Sequence, residues 1–169
     1  MLDLNYKSGL IILIILLISV KTTFAQSPEK EEVKVAINRL FEGMRKGDST
    51  MAWSVFHTKA ITQSIGFSSK TGKNYINTDN RLNSFMTSIG TPHTEVWDEQ
   101  PGEFDIKIDQ QMAQVWVPYQ FYLGGKFSHC GVDIFTLYNE GYNADQSQTK
   151  SNWKIVYLID TMRKDNCTK

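Results

Sequence analysis

The segment AQVWVPYQFYLGGKFSHCGVDIFTLYN, residues 113–139, decides the fold of this chain. Apolar and polar side chains alternate on both sides of Gly124-Gly125, which is typical of two antiparallel strands joined by a two-residue turn. The turn sets the register of the strands and hence the side chains that share a face. The predicted pairs are Leu123 with Lys126, Phe121 with Ser128, Tyr119 with Cys130, Val117 with Val132, and Val115 with Ile134.

A final strand, predicted over residues 152–163, extends the sheet. We assign it the register that keeps the apolar face whole, because a slip of one residue turns every side chain over. We expect helices to pack on that face. The face carries Trp153, Ile155, Tyr157 and Ile159 beside Val132, Ile134, Thr136 and Tyr138. The opposite, mixed face carries Trp116, Gln120, Tyr122, Phe127, His129, Asp133, Phe135, Lys154, Leu158 and Asp160.

Helical patterns precede these strands. Residues 29–46 repeat apolar side chains every three or four positions, which predicts an amphipathic helix that ends at Gly47. The fold class is therefore α+β, with helices first and long strands last. The other predicted elements are helices over residues 48–57 and 78–89 and strands over residues 60–67, 74–77 and 95–109, the last one broken near Pro101.

The first 25 residues have the pattern of a cleavable secretory signal peptide. Lys7 supplies a positive charge, residues 10–20 are almost all aliphatic, and small residues surround Ala25. The alternative is a membrane anchor, but the aliphatic run is much shorter than the about 20 residues that span a bilayer. We expect cleavage near Ala25, a mature domain over residues 26–169 without a stable membrane span, and a periplasmic or secreted location.

The composition excludes some functions. The chain has 18 basic and 18 acidic residues and a formal net charge of +0, without basic runs. Nucleic acid is therefore not expected as a partner, because such binding depends on neutralising phosphates with clustered cations. Three scattered histidines and no paired cysteine ligands predict no metal site, and no motif predicts a cofactor.

The order of elements resembles the nuclear transport factor 2-like superfamily, in particular its secreted, uncharacterised bacterial members. The residues that carry the resemblance are the block at 127–133, FSHCGVD, followed by Trp153-Lys154-Ile155. The resemblance implies a cone-like, curved, mixed or antiparallel sheet wrapped around three N-terminal helices. It also implies a homodimer formed through a sheet face and a ligand pocket at the wide end. Relatives include ketosteroid isomerases, polyketide cyclases, dehydratases and pure binding proteins.

The isomerase pattern of that superfamily is missing here. Isomerase-like members carry a Tyr on the first helix and a catalytic Asp near the end of the second helix. This chain has no Tyr between Pro28 and Asn74, and the region after Phe56 offers His57 without a nearby carboxylate. The sequence therefore argues against a reaction that uses those two positions.

His129, Asp133 and Asp160 are the candidate catalytic residues. His129 and Asp133 are about 13 Å apart along one strand, too far to bond to each other. In the predicted register, Asp160 lies diagonally from His129 and could orient its imidazole as an acid/base pair. The alternative is a polar cross-strand pair on a sheet surface that faces solvent or a second subunit, because the predicted register puts these residues opposite the helices.

The apolar face supplies the candidate ligand-binding residues. Tyrosine hydroxyls and one arginine in an apolar cavity suit a flat or amphipathic small molecule with an oxygen or carboxylate group. The alternative is that the tyrosines are core residues whose hydroxyls bond at an edge. The candidates are Tyr119, Cys130, Tyr138, Tyr157, Thr161 and Arg163.

The two cysteines, Cys130 and Cys167, can form a disulfide in an oxidising compartment. Such a bridge requires the carboxy-terminal tail to fold back, because an extended tail would carry Cys167 about 20 Å away.

We predict the first of the following three functions, and the other two stay open as alternatives. The first is an exported domain that binds a small apolar or amphipathic molecule. The second is an enzyme of the isomerase, cyclase or dehydratase type that uses His129 and Asp160. The third is a dimeric interaction module whose contact surface contains Trp116, Tyr122, Phe127 and Phe135.

Overall fold

The computed structural model describes residues 27–142 and 151–167. Three helices and seven strands follow in chain order, as the α+β prediction requires. They are α1 (Pro28–Lys46), α2 (Ser49–Trp53), β1 (Phe56–Ser68), β2 (Lys73–Asn77), α3 (Leu82–Gly90), β3 (Trp97–Pro101), β4 (Asp105–Asp109), β5 (Met112–Leu123), β6 (Lys126–Asn139) and β7 (Trp153–Arg163).

Helix α1 is specified at both ends and along one face. The Ser27 hydroxyl accepts a hydrogen bond from the Lys30 amide, and Pro28 occupies the first turn, where no amide donor is needed. Gly47 ends the helix in the left-handed conformation, with φ of 66°. The residues of its buried face are Val33, Ile37, Leu40, Phe41, Gly43 and Met44.

Helix α2 is shorter than predicted and ends at Trp53 rather than near His57. The Ile155 amide donates to the Val55 carbonyl, and Phe56 pairs with Ile155, so β7 holds this segment as a strand. Pairing with a distant strand therefore overrides the local helical pattern.

The strands form one curved, mixed sheet in the order β2-β1-β7-β6-β5-β3, with β4 paired to the other half of β5. Strands β1 and β7 are parallel, whereas the other pairs are antiparallel. The helices lie against the concave face, where Phe41 of α1 contacts Phe135 of β6 with ring centroids 6.2 Å apart. The predicted cone-like sheet wrapped around three helices is confirmed.

The predicted turn is correct, but the register beyond it is wrong by one residue. Leu123 pairs with Lys126 across Gly124-Gly125, whose φ angles are 56° and 76°. A bulge then leaves Ser128 without a partner, so that Phe121 pairs with His129 rather than with Ser128. The remaining pairs shift accordingly and include Tyr119 with Gly131, Val117 with Asp133, and Val115 with Phe135.

A second bulge, at Val156 of β7, shifts the register between β6 and β7 by one residue. Leu137 pairs with Ile155, but Thr136 pairs with Tyr157. Consequently Trp153 and Ile155 face the helices as predicted, whereas beyond the bulge Leu158 and Asp160 face them instead of Tyr157 and Ile159. Along β6 and the second half of β7, the face that packs against the helices is therefore the one predicted to be mixed. The face predicted to be apolar points outward there. The outer face of these strands carries Val132, Ile134, Thr136, Tyr138, Tyr157 and Ile159.

The predicted Cys130–Cys167 disulfide is present in the structure, with Cα atoms 5.8 Å apart. The tail reverses direction after β7, where Asn166 has a φ of 51° and its carbonyl accepts a hydrogen bond from Arg163. This reversal supplies the fold-back that the bridge requires. It ties the end of the described chain to β6, next to His129.

The predicted signal peptide, residues 1–25, lies outside the described residues. Among residues 27–142 and 151–167, no helix has the length and apolar character needed to cross a membrane.

Candidate functional site

A cavity of about 360 Å³ lies between the helices and the concave face of the sheet. Its volume is within the range of pockets for small molecules. Most of its wall is apolar, formed by Leu40, Phe41, Met44, Phe85, Trp97, Phe121, Phe135 and Leu158. The polar lining consists of Thr62, Gln63, Ser64, Arg81, Ser84, Ser88, Glu99, Tyr119, His129, Asp133 and Asp160.

Glu99 and Asp133 form a carboxyl pair in this cavity. Glu99 is on β3, whereas Asp133 is on β6 and only 4% exposed. Their side chains are in hydrogen-bonding contact, which requires a proton on one of them. Burial raises the pKa of Glu99 from 4.5 to about 7, with a smaller contribution from the charge of Asp160. Burial and the neighbouring Glu99 charge hold the pKa of Asp133 well above its usual range.

Asp160 is the third carboxyl group. It lies directly opposite Asp133 across the β6–β7 ladder, and its neighbour on β1 is Ser64. Burial raises the pKa of Asp160, while hydrogen bonds from Ser64 and Tyr119 limit the increase. Asp160 therefore ionises more readily than the Glu99–Asp133 pair, because hydrogen-bond donors stabilise its charged form.

The side chain of Tyr119 extends from β5 past Gly131 of β6 to reach β7. Its hydroxyl donates to the Thr161 carbonyl at 3.0 Å and approaches Asp160 Oδ2 at 3.4 Å. Burial, and then the negative charge of Asp160, raise the pKa of Tyr119, so the phenol stays protonated. Gly131 permits this crossing, because a methyl group there would lie 2.7 Å from the Tyr119 ring and would overlap the Thr161 carbonyl oxygen.

His129 lies in the cavity but does not form the predicted pair with Asp160. Its ring stacks on Phe121 with centroids 4.8 Å apart, and Tyr119 packs edge-on against it at 5.8 Å. Its Nδ1 is 3.0 Å from the Ser128 hydroxyl. Burial, aided by the positive charge of Lys164, lowers the pKa of His129, so the imidazole is neutral at pH 7. In the β6–β7 ladder Asp160 pairs with Asp133 rather than with Gly131, so His129 lies four residues along β6 from the partner of Asp160.

Thr62 adds an unsatisfied polar group to the wall. The residue is 7% exposed, and within residues 27–142 and 151–167 its Oγ1 has no hydrogen-bond partner. Buried polar groups are nearly always bonded in native proteins. A hydroxyl that lacks a partner and lines a cavity is available to a ligand.

One residue of the predicted ligand-binding set lines this cavity. Tyr119 lines the cavity, but the other five candidates lie elsewhere because the register shift turns them away. Tyr138 is on the outer face, and the Tyr157 hydroxyl donates to Gln63. Thr161 accepts from the Val132 amide, Arg163 binds the tail carbonyl of Asn166, and Cys130 is in the disulfide.

The sequence also predicts Phe135 as part of the contact surface of the interaction module. It is fully buried against α1 and lines the cavity instead. Trp116 and Phe127 are exposed, and Tyr122 is half-buried. Three of the four residues predicted for the contact surface are therefore accessible at the surface of the chain.

Sequence reasoning missed Glu99. Strand β3 is short, and its acidic residues Asp98 and Glu99 are adjacent, so the sequence alone does not indicate which one points inward. Its partner Phe121 faces the cavity, which brings Glu99 to the same side. Within the described ranges, His, Cys, Asp and Glu side chains form no group of three or more that could hold a metal ion.

Comparisons with known proteins concern the fold. No protein-family model matches the chain, and no curated protein matches its sequence. A protein of unknown function with a cystatin-like fold from Nostoc punctiforme superposes with a TM-score of 0.58 at 10% identity, covering 82% of this chain and 93% of that one. A nuclear transport factor 2-like superfamily protein from Salmonella enterica serovar Typhimurium gives 0.56 at 16% identity, covering 82% and 93%.

A third similar structure is provisionally named a dehydratase of the nuclear transport factor 2-like family, from Streptomyces avermitilis. It superposes with a TM-score of 0.53 at 14% identity, covering 80% of this chain and 96% of that one. Similarity at this level of identity concerns architecture, because one fold supports many unrelated activities.

Proposed function

We propose that this protein, which has the nuclear transport factor 2-like fold expected from its sequence, is an acid/base enzyme of the isomerase or dehydratase type. The observation that carries the proposal is the contact between the Glu99 and Asp133 carboxyl groups in a largely apolar cavity. A carboxyl group that keeps its proton near pH 7 can act as a general acid. The predicted alternative with His129 as part of the acid/base pair is replaced by a carboxyl cluster.

The Glu99–Asp133 pair supplies the acid. Both carboxyl groups line the cavity, so the proton of the pair can be donated to a carbonyl or hydroxyl oxygen of the substrate. In an isomerisation, the pair stabilises negative charge that develops on a carbonyl oxygen. In a dehydration, it donates the proton that leaves with the hydroxyl group as water, and solvent then restores the proton.

Asp160 supplies the base. It is the carboxyl group that ionises most readily of the three, and it faces the same cavity. As a carboxylate it can accept a proton from the substrate carbon next to the oxygen-bearing carbon. In an isomerisation it returns this proton to the γ carbon, and in a dehydration it releases the proton to solvent. Tyr119 is a positioning residue, because its hydroxyl is fixed by Thr161 and holds the Asp160 carboxylate in place.

The cavity wall limits the substrate to a small and mainly apolar molecule. Phe41, Trp97, Phe121 and Phe135 supply aromatic surface, and Thr62 offers one hydroxyl for a second polar group. A pocket with apolar walls and a few inward polar groups is the usual arrangement for small organic ligands. The binding function expected from the sequence is thus retained as the first step of the reaction.

Two reactions test the proposal, and ultraviolet absorbance monitors both. One is the conversion of a β,γ-unsaturated cyclic ketone to its conjugated isomer, and the other is the elimination of water from a β-hydroxy ketone. Asp160→Asn and Asp133→Asn should each lower kcat by about 10²–10⁴. Asp98→Asn is the matched control, because Asp98 is on β3 next to Glu99 and does not line the cavity. Wild-type protein that accelerates neither reaction would argue against the proposal.

We also propose that the domain acts outside the cytoplasm. The Cys130–Cys167 disulfide supports this location, because such bridges persist in oxidising compartments. Mass spectrometry of the protein recovered from the cell exterior or periplasm should give an amino terminus at Gln26. Recovery of an uncleaved chain would contradict cleavage near Ala25.

A homodimer through the outer sheet face is the proposed assembly. Apolar side chains are exposed there, including Trp116 at 51% and Ile61 at 43%. A face of this kind is typical of an interface. Sedimentation equilibrium should give twice the chain mass for the wild type and a monomer for Trp116→Lys, and a wild-type monomer at all concentrations would exclude the dimer.

A further inference from the structure

We infer that the cavity binds a small organic cation, an alkylammonium or quaternary ammonium group held between the carboxyl cluster and the aromatic wall. The inference rests on the same cavity as the proposed function but goes beyond it. Proton transfer by the Glu99–Asp133 pair requires no charge on the ligand.

The aromatic side chains are arranged as a partial cage. Trp97 contacts Phe121 edge-on with centroids 6.3 Å apart, and Phe121 stacks on His129 at 4.8 Å. Phe41 and Phe135 also line the cavity and contact each other at 6.2 Å. Ring faces attract cations that approach within about 6 Å, and cages of such rings are the known recognition mode for quaternary ammonium groups.

Three acidic side chains share this space. Glu99, Asp133 and Asp160 all line the cavity, and no salt bridge within residues 27–142 and 151–167 involves any of them. Of the described lysine and arginine side chains, Arg81 alone contributes to the lining, and it is an exposed residue at the N-cap of α3. Buried charges are ordinarily paired, so a positively charged ligand would supply the partner that the chain does not.

Thr62 gives an independent reason to expect a ligand at the same place. Its hydroxyl is buried in the wall of the cavity, where among the described residues it has no hydrogen-bond partner. A cation that carries a hydroxyl or ester oxygen can bond to Thr62 while its ammonium group lies near the carboxyl groups. We therefore choose choline as the probe.

The ionisation of the site should control the affinity. Glu99 on β3, Asp133 on β6 and Asp160 on β7 all gain negative charge as the pH rises, and the pKa of Glu99 is about 7. Tyr119 on β5 stays neutral and His129 on β6 loses positive charge, and the remaining basic side chain of the lining is Arg81 at the N-cap of α3. Helix α1 contributes no titratable side chain to the lining. Every titrating group therefore favours cation binding at higher pH, and binding should release protons.

Isothermal titration calorimetry tests the inference with a matched pair of ligands. One is choline, and the other is the alcohol in which a tert-butyl group replaces the trimethylammonium group. We expect choline to bind roughly tenfold more tightly at pH 8, an advantage that shrinks at pH 5.5. In buffers of different ionisation enthalpy at pH 7, choline should release protons, whereas the neutral alcohol should not.

Glu99→Gln should remove most of the preference for choline, and Trp97→Leu should reduce it, whereas Asp98→Asn should leave it unchanged. Circular dichroism verifies that each variant is folded. Equal affinity for choline and the neutral alcohol at pH 8, or no saturable binding of choline, would overturn the inference. The proposed function is judged separately, because the ketone assays contain no cation and can succeed or fail whatever choline does.

Discussion

Asp133 on β6 stands directly opposite Asp160 on β7, on the face of the sheet that packs against the helices. Two like charges at opposed positions of an antiparallel pair destabilise the sheet. The pair is tolerated because Asp133 keeps its proton in contact with Glu99, while Ser64 and Tyr119 stabilise the charge of Asp160. One carboxyl group is therefore an acid and its neighbour a base, which is the division of roles that acid/base catalysis requires.

The pH dependence of stability follows from the raised pKa of Glu99. In the unfolded chain Glu99 ionises around pH 4.5, but in the folded protein it ionises at about 7. The protonated folded form is thus favoured at low pH, and this contribution to stability is lost as the pH rises from about 4.5 to about 7.

Glu99→Gln should therefore raise Tm at pH 8 by a few degrees and change it little at pH 4, since 1 kcal/mol corresponds to about 2–4 °C in domains of about 150 residues. Thermal unfolding at the two pH values, followed by circular dichroism, measures the difference. An equal effect at both pH values would contradict the assigned protonation.

Tyr119→Phe should destabilise the protein by about 1 kcal/mol, because it removes the hydrogen bond to the Thr161 carbonyl. It should also raise the pKa of Asp160 further, since that carboxylate loses a donor. Urea unfolding measures the first effect. Tyr122→Phe is the control, because the Tyr122 hydroxyl bonds to Gln120 outside the cavity. A smaller loss of stability for Tyr119→Phe than for Tyr122→Phe would count against the hydrogen bond between Tyr119 and Thr161.

Thr62→Val should stabilise the unliganded protein by about 1 kcal/mol, because it removes a buried hydroxyl that lacks a partner. The same change should weaken ligand binding. Thr161→Val provides the contrast, since the Thr161 hydroxyl accepts from the Val132 amide and its removal should destabilise. Urea unfolding of both variants decides the matter, and destabilisation by Thr62→Val would mean that its hydroxyl is already satisfied.

Removal of the disulfide should lower the free energy of unfolding by about 4 kcal/mol, given the sequence separation of 37 residues. The measurement is urea unfolding of the wild type against the Cys130→Ala, Cys167→Ala double variant, with each single variant to reveal cavity effects at Cys130. Identical unfolding midpoints for oxidised and double-variant protein would contradict a bridge that constrains the chain.

The sequence was sufficient to predict the helices, the long strands and the Gly124-Gly125 turn, because each depends on local periodicity and local backbone preference. The bulges at Ser128 and Val156 were not predictable in the same way. A bulge reverses which side chains of a strand face the core, and the amino-acid composition of the strand does not reveal it. The predicted register placed Val132 and Ile134 toward the helices because that gives a more uniformly apolar core face than the structure has.

That choice of register explains the outcome for the site. His129, Asp133 and Asp160 were singled out from the sequence, but they were assigned to the side opposite the helices. The structure brings them together because the core face of this sheet holds polar groups as well as apolar ones. Glu99 could not be identified from the sequence, since its contact with Asp133 joins strands that are separated by β5 in the sheet.

Carbon-13 NMR of protein labelled at the side-chain carboxyl groups of Asp and Glu, titrated from pH 3 to pH 9, tests the carboxyl cluster most directly. We expect one resonance with an apparent pKa of about 7 that disappears in Glu99→Gln, and Asp resonances whose pKa lies above 3.8. Titration of every carboxyl group near its ordinary 3.8 or 4.5 would contradict the account.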